Sequence, residues 1–237
     1  MRAMKVALVT GAGVRVGRAI ALAFARAGFA VAVHYRGSRA EAEETAARID
    51  RAVLVQGDVT VDPERIVEEA VRALGGLDVL VNCAAAFERV PAVDIDRPRF
   101  ESMLATNLVA PFLLARAAHP HLAARRGAVV NVLDLCGTAQ VWPGYAHYAA
   151  AKAGLAALTR LLAVEWAPDV RVNGVAPGTV LFPEGTPPDK RARIVRRIPA
   201  GREGSPDDVA RAAVFLASEP FVSGQILAVD GGRSAAP

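Results

Sequence analysis

Short apolar runs alternate with longer stretches of helical periodicity along the whole chain. Val6–Val9, Ala30–His34, Ala52–Gln56, Asp78–Asn82, Ala128–Leu133, Val170–Val175 and Ile226–Val229 read as strands. Several are apolar without polar alternation, as strands covered on both faces are. Gly17–Ala27, Arg39–Ile49, Pro63–Leu74, Phe100–Ala124, Tyr145–Trp166 and Pro206–Ala217 read as helices between them. Such alternation calls for right-handed crossovers, so the pattern predicts an α/β fold: a doubly wound, seven-stranded parallel sheet with helices on both faces. No repeat or linker divides the chain, and one domain over residues 1–237 is expected. Only Val180–Gly204 breaks the rhythm. It holds Pro183, Pro187, Pro188 and Pro199 and the basic run Lys190–Arg197, and it lies where a substrate lid at about 180–204 would sit.

Composition narrows the class. With 237 residues, 53% of them hydrophobic, the chain can bury a full core. No apolar run reaches the ~18–20 residues of a membrane span. The first apolar run is broken at once by Gly11-Ala12-Gly13, so neither a signal peptide nor a membrane partner is expected. Cys83 and Cys136 form no disulfide framework and no metal spacing, which points to a reduced, cytoplasmic protein without a metal. The net charge of +4 raises the question of nucleic acid, but arginine is dispersed and aromatics are only 5%. Solvated basic faces are the simpler reading.

The first strand runs into Thr10-Gly11-Ala12-Gly13-Val14-Arg15-Val16-Gly17 and then into helix. Glycines in such a turn let backbone approach a diphosphate, whose charge a helix N-terminus favours. Gly11, Arg15, Val16 and Gly17 are therefore candidate cofactor contacts, with Arg15 placing a cation where a small residue is usual. An acid on the ribose hydroxyls is expected about 20 residues on in an NAD site. Here the second strand ends His34-Tyr35-Arg36-Gly37-Ser38, with no acid before Glu41. Arg36 and Ser38 suit a 2′-phosphate, so NADP(H) is expected rather than NAD(H), with His34 and Tyr35 beside it. On the same rim, Asp58 and Val59 follow the third strand as an adenine site. Asn82-Cys83-Ala84-Ala85 follows the fourth as a small-residue wall, with Asn82 and Ala84 as contacts.

Chemistry gathers further along. Tyr148 and Lys152 are four apart on an expected helix, roughly 5–6 Å apart at Cβ on one face. A free phenol titrates near ~10. An ammonium beside it lowers that value, which a general acid for carbonyl reduction needs. The chain has only three lysines, Lys5, Lys152 and Lys190, and one of them stands here. Asn107 lies inside the long helix; if its turn opens, a carbonyl there can hold a water beside Lys152. Asp134 ends the fifth strand after an apolar run, so shielding would raise its pKa. Pro177 and Gly178, in Asn173-Gly174-Val175-Ala176-Pro177-Gly178-Thr179, close the sixth strand with the permissive backbone a nicotinamide pocket needs.

Taken in order from Val6 to Gly232, these motifs resemble the short-chain dehydrogenase/reductase family. The resemblance implies a single Rossmann-type domain, a homotetramer or homodimer built on the two long helices, and a small-molecule substrate. It implies Tyr148 as catalytic acid/base, Lys152 on the nicotinamide ribose, and Asn107 in a water-linked relay. Arg15, the His34–Ser38 turn, Phe87 and Asp134 depart from the common pattern and are similar to the pteridine and dihydromonapterin reductases. In that group the residue matching Phe87 stacks the pterin ring, and the residue matching Asp134 works with the Tyr to protonate a ring nitrogen. Arg15, Phe87, Asp134 and Tyr148 are thus the expected substrate contacts. From Asp134 to Tyr148 is 148 − 134 = 14 residues, one more than the family's usual spacing, which would select Leu135. Asp134 is preferred, because Asn131 anchors the strand upstream and Cys136–Pro143 can absorb a residue as loop.

The expected activity is NADPH-dependent hydride transfer to a C=O or C=N bond, with a pterin-like substrate leading. A 3-oxoacyl-thioester or general ketone reductase is the alternative, since Arg125-Arg126 and the basic 190–197 run could attract an acidic carrier. An NADP-binding sensor or scaffold is a third reading, disfavoured by the presence together of Asn107, Tyr148 and Lys152.

Overall fold

In the computed structural model, which describes residues 4–183 and 185–236, the apolar runs become strands and the periodic stretches become helices. The strands are β1 (Val6–Val9), β2 (Ala30–Tyr35), β3 (Ala52–Gln56), β4 (Val79–Asn82), β5 (Ala128–Val132), β6 (Arg171–Pro177) and β7 (Ile226–Val229). The helices are α1 (Arg15–Arg26), α2 (Arg39–Ala46), α3 (Pro63–Leu74), α4 (Arg97–Leu104), α5 (Ala110–Ala123), α6 (Ala146–Glu165), α7 (Pro188–Val195) and α8 (Pro206–Ser218). All seven strands pair in parallel, in the order β3-β2-β1-β4-β5-β6-β7. The strand order reverses between β1 and β4, and in open parallel sheets ligands bind beyond the strand ends at that switch point.

The sheet has apolar side chains on both faces because its strands are apolar without alternation. Ala7, Val9, Val31 and Val33 point toward Ile20 and Phe24 of α1 and Val209, Ala213 and Leu216 of α8. Their neighbours Val6, Leu8, Ala32, Leu80 and Val129 point the other way, toward Ile66 and Val67 of α3 and Leu114 and Leu122 of α5. Each large side chain removed from water in these layers contributes ~1.5–3 kcal/mol. Helix ends follow local chemistry. Ser205 and Asp208 form a capping box ahead of α8, and Gly75 closes α3 in the left-handed conformation.

Two features differ from the sequence-based expectation. The single helix expected over 100–124 begins at Arg97 and is interrupted by a π-helical turn, Ala105–Val109, where the Ala110 N–H bonds back to Ala105. The Asn107 amide donates to the Met103 carbonyl at 3.1 Å and to the Ala86 carbonyl at 3.0 Å, competing with the regular ladder. Pro111 has no N–H to offer the Asn107 carbonyl. Within the 180–204 stretch lies a helix the periodicity did not reveal, α7, none of whose residues is buried.

Candidate active site

The sheet's carboxyl rim opens into a cleft of about 1820 Å³. That exceeds the ~300–1,000 Å³ of a single drug-sized ligand and leaves room for two reactants. One end is built at the β1–α1 turn. Gly11 has φ +65°, and a Cβ there would lie 3.0 Å from the Ala84 Cα. A Cβ on Gly17 would collide with the Gly11 carbonyl, so both glycines are required by close approach of backbone. The Thr10 hydroxyl accepts from the Cys83 and Ala84 N–H groups at 2.9 and 3.0 Å, tying this turn to the loop after β4. Helix α1 starts with Val14 at its cap, no capping side chain and no acid in its first turn. Its first N–H groups face the cleft's end as an anion-binding terminus does. Arg15 holds φ +53°, a left-handed conformation that costs a non-glycine residue roughly 1–2 kcal/mol.

Across this end, Arg36 and Ser38 line the cleft with Tyr35, Asp58 and Val59. Arg36 is exposed and its Nη1 lies 3.5 Å from the Asp58 carboxylate. Hydrogen bonds from Thr60, together with Arg36, hold the Asp58 carboxyl below the usual carboxylate range. His34 lines the cleft, but backbone holds both nitrogens of its ring. Its Nδ1 accepts from the Gly11 N–H at 3.2 Å, and its Nε2 lies 3.2 Å from the Gly57 carbonyl, which takes the remaining ring proton. Burial lowers its pKa to about 4, so the ring is neutral at pH 7. Both ring nitrogens are occupied, and His34 braces three strand ends instead of offering a polar atom to a ligand. Asn82, expected as a contact, does not line the cleft. Its amide donates to Asn131 at 2.9 Å and to the Pro111 carbonyl at 3.1 Å, while Asn131 donates to Thr159 at 2.9 Å. That buried chain ties β4 and β5 to α5 and α6, and the cleft wall is made by Cys83, Ala84, Ala85 and Ala86.

The chemical end gathers Phe87, Asp134, Tyr148, Lys152, Pro177 and Gly178. The Tyr148 hydroxyl donates to Asp134 Oδ2 at 2.9 Å, and the Cys136 N–H donates to Asp134 Oδ1 at 2.8 Å. Between Asp134 and Tyr148 the chain turns at Cys136–Gln140, where Thr138, Ala139 and Gln140 all donate to the Leu135 carbonyl. Leu135 points into the apolar cluster with Leu133 and Leu155, so Asp134 is the residue that faces Tyr148. Lys152 is buried, donates to the Val132 carbonyl at 2.8 Å, and lies 5.7 Å from the centroid of the Tyr148 ring.

The electrostatics differ from the expected pair. Burial, reinforced by the Asp134 charge and its hydrogen bond, pushes the Tyr148 hydroxyl well above its usual range, where a lowering by Lys152 was expected. Burial raises the Asp134 carboxyl and lowers the Lys152 ammonium. The Tyr148 hydroxyl therefore keeps its proton and donates it in a hydrogen bond to Asp134. Phe87 is 52% exposed, stacked on Tyr145 at 4.8 Å and edge-on to Tyr148 at 4.9 Å. Asn107 does not line the cleft. It lies buried behind the wall, tied to the Ala86 carbonyl, with its side-chain oxygen unpartnered among the described residues.

Sequence reasoning passed over Gln140, Trp142, Tyr145 and Arg233, which complete the chemical end. Arg233 follows Asp230-Gly231-Gly232, and only its neighbourhood to that turn hinted at it. No group of three or more metal-ligating side chains occurs among the described residues, nor is any helix long and apolar enough to cross a membrane.

A parallel sheet with a phosphate-type turn at its switch point, leading to a Tyr–Lys helix, defines a dinucleotide-dependent oxidoreductase. Comparison with known proteins agrees. The model of the family described as Enoyl-(Acyl carrier protein) reductase matches residues 11–234. A cis-4-hydroxycyclohexanecarboxylate dehydrogenase of Sinomonas cyclohexanicum is 40% identical over 98% of each chain. A ketoacyl reductase assigned to the granaticin polyketide synthase of Streptomyces violaceoruber is 38% identical over 96% of this chain and 95% of its own. A crystal structure from Sinorhizobium meliloti 1021, assigned as a short-chain alcohol dehydrogenase, superposes with a TM-score of 0.93 at 35% identity, covering 98% of this chain and 97% of the other. The chain belongs to the short-chain dehydrogenase/reductase family, whose members use nicotinamide cofactors.

Proposed function

We propose that the chain is an NADPH-dependent reductase of a pterin-like ring. The observation that carries this reading is the Tyr148–Asp134 hydrogen bond at 2.9 Å, made where the family usually has a serine. A serine can orient a substrate oxygen. A carboxyl whose proton affinity burial raises can also hold and return a proton, which reduction of a C=N bond to an amine requires. The exposed Phe87 face above the pair is a platform for a flat heteroaromatic ring.

The residues present fit a dinucleotide. The uncapped α1 terminus suits its diphosphate, the small wall Cys83–Ala86 its sugar and ring, and Arg36 with Ser38 a 2′-phosphate. Bound there, the cofactor supplies hydride from its nicotinamide C4. Tyr148 gives its hydroxyl proton to the substrate heteroatom, and Asp134, when protonated, gives one back. Lys152, anchored on Val132, places a cation beside the phenolate that forms. The π-turn at Asn107 fixes the Ala86 wall and is the candidate end of a water relay. The 180–204 stretch with α7 is read as a lid over the substrate end. Exposed Leu161 and Val164 on α6 support a homotetramer or homodimer, and the protein is read as cytoplasmic.

A ketone or 3-oxoacyl-thioester substrate is the second reading, favoured by the 38% identity to the ketoacyl reductase. The test is NADPH oxidation with a dihydropterin, an acetoacetyl thioester and a simple diketone in parallel. Turnover of the dihydropterin supports the reading, and turnover of the thioester alone removes it.

A further inference from the structure

Apart from Arg15 at the α1 turn, the cations of the cleft fall into two groups. Arg36 is paired with Asp58, and Lys152 is fixed on a carbonyl. Arg233, Arg197, Arg196 and Lys190 line the chemical end and the stretch above it, and none of them makes an ion pair among the described residues. Arg233 is the best defined. Its Nη1 donates to the Thr179 hydroxyl at 2.9 Å, and its guanidinium lies 5.7 Å from the centroid of the Trp142 ring. Its carbonyl accepts from Gln140 Nε2 at 3.2 Å. The nearby Asp230 carboxylate is occupied with the Gly232 and Ser234 N–H groups at 2.9 and 2.6 Å, and Asp134 with Tyr148 and Cys136. Most of the five guanidinium donors are left without a protein acceptor.

Burial holds the Arg233 guanidinium below its usual range, and the charge of Arg197 pushes the same way. Two like charges at a partly dry cleft wall repel, and an anion between them removes the repulsion and fills a planar fork of donors. The site is not the diphosphate end. Arg233 stands with Gln140, Trp142 and Asp134, beyond Tyr148, whereas the diphosphate terminus is at α1.

We propose that Arg233, with Arg197 near it, forms an anion subsite at the substrate end, so that the substrate carries a carboxylate or phosphate beyond the ring that is reduced. This deepens the reductase reading above and rests on it for the word substrate. The test uses the full-length protein saturated with NADP⁺ and titrated by calorimetry with 4-aminobenzoyl-glutamate, phenyl phosphate and neutral 4-aminobenzamide. At least one anion is expected to bind at least tenfold more tightly than the amide, and which one does so names the group. Arg233→Gln should weaken that anion by about 10- to 100-fold, the range for a hydrogen bond to a charged group, with Arg233→Lys recovering part of it. Equal binding of all three probes, or a loss of NADP⁺ affinity as large as the loss of the anion, overturns the proposal. A kinetic arm compares dihydrofolate, which carries the glutamate tail, with dihydrobiopterin, which does not. The ratio of their kcat/KM values should fall about tenfold in Arg233→Gln. If neither pterin is reduced while anion binding still depends on Arg233, the subsite stands and the pterin reading falls.

Discussion

Replacing Asp134 by serine puts back the hydroxyl that the family usually carries and removes the titratable partner of Tyr148. The Asp134 carboxylate takes two hydrogen bonds, from Tyr148 at 2.9 Å and from the Cys136 N–H at 2.8 Å. The first is longer than the ~2.5–2.7 Å of a strong hydroxyl–carboxylate bond, which places it toward the lower part of the ~1.5–3 kcal/mol range for charged acceptors. A loss of about 10- to 30-fold in dihydropterin kcat/KM is expected from the bond alone, since each 1.4 kcal/mol is tenfold. The pH profile carries a second signature. Burial raises the Asp134 proton affinity, so the protonated carboxyl proposed to return a proton to Tyr148 is present in acid and is lost as pH rises through that raised pKa. Wild-type reduction should therefore fall with rising pH along a limb that Asp134→Ser lacks. Folding stability follows the same sign. An acid with a raised folded-state pKa contributes stability that is full below its unfolded pKa and declines as pH rises through the folded one. The unliganded wild type should lose this contribution on going from acid to neutral pH, and the variant should not. Steady-state NADPH oxidation across pH, with thermal melting alongside, reads both. Full dihydropterin turnover with an unchanged pH profile in Asp134→Ser would leave Asp134 a turn residue with no part in proton transfer.

Three further outcomes follow from the geometry. Tyr148→Phe should leave NADPH binding within about twofold by fluorescence titration while lowering turnover by the ~10²–10⁴ typical of a lost general acid; a fully active variant contradicts the mechanism. Arg15→Gly relieves a left-handed φ of +53° and should raise Tm by a few degrees, taking ~1 kcal/mol as 2–4 °C for a chain of this size. The same variant should bind NADPH more weakly, and a lower Tm would count against the strain. Arg36→Ala should weaken NADPH by about 10- to 100-fold and NADH by less than about threefold; equal losses would mean that Arg36 reads no 2′-phosphate.

The sheet and six helical regions were legible because strands covered on both faces read as apolar runs and amphipathic helices keep their period. Helix α7 was not, since an exposed helix such as Pro188–Val195 carries no apolar stripe. The π-turn was anticipated only as a local opening; its cause lies in the Asn107 contacts across to Ala86, which sequence order does not contain. Strand-end position told which residues reach the rim but not where each side chain points. Asn82 turns inward to brace loops and the ring nitrogens of His34 are held by backbone, while Arg36 and Ala84 reach the cleft. The same alternation decided between Asp134 and Leu135, one facing Tyr148 and the other the core. Arg233 was invisible because its neighbours Gln140, Trp142 and Thr179 are distant in the chain.

In the proposed reaction, hydride passes to a carbon of a pterin ring over Tyr148 and Asp134. Single-turnover reaction with NADPH deuterated at the transferring face of nicotinamide C4, in a mixture of dihydropterin and acetoacetyl thioester, follows that hydride to its acceptor. The prediction is deuterium on a reduced ring carbon of the pterin, lost in Tyr148→Phe. Deuterium on the former keto carbon of the thioester, with none in the pterin, would contradict it.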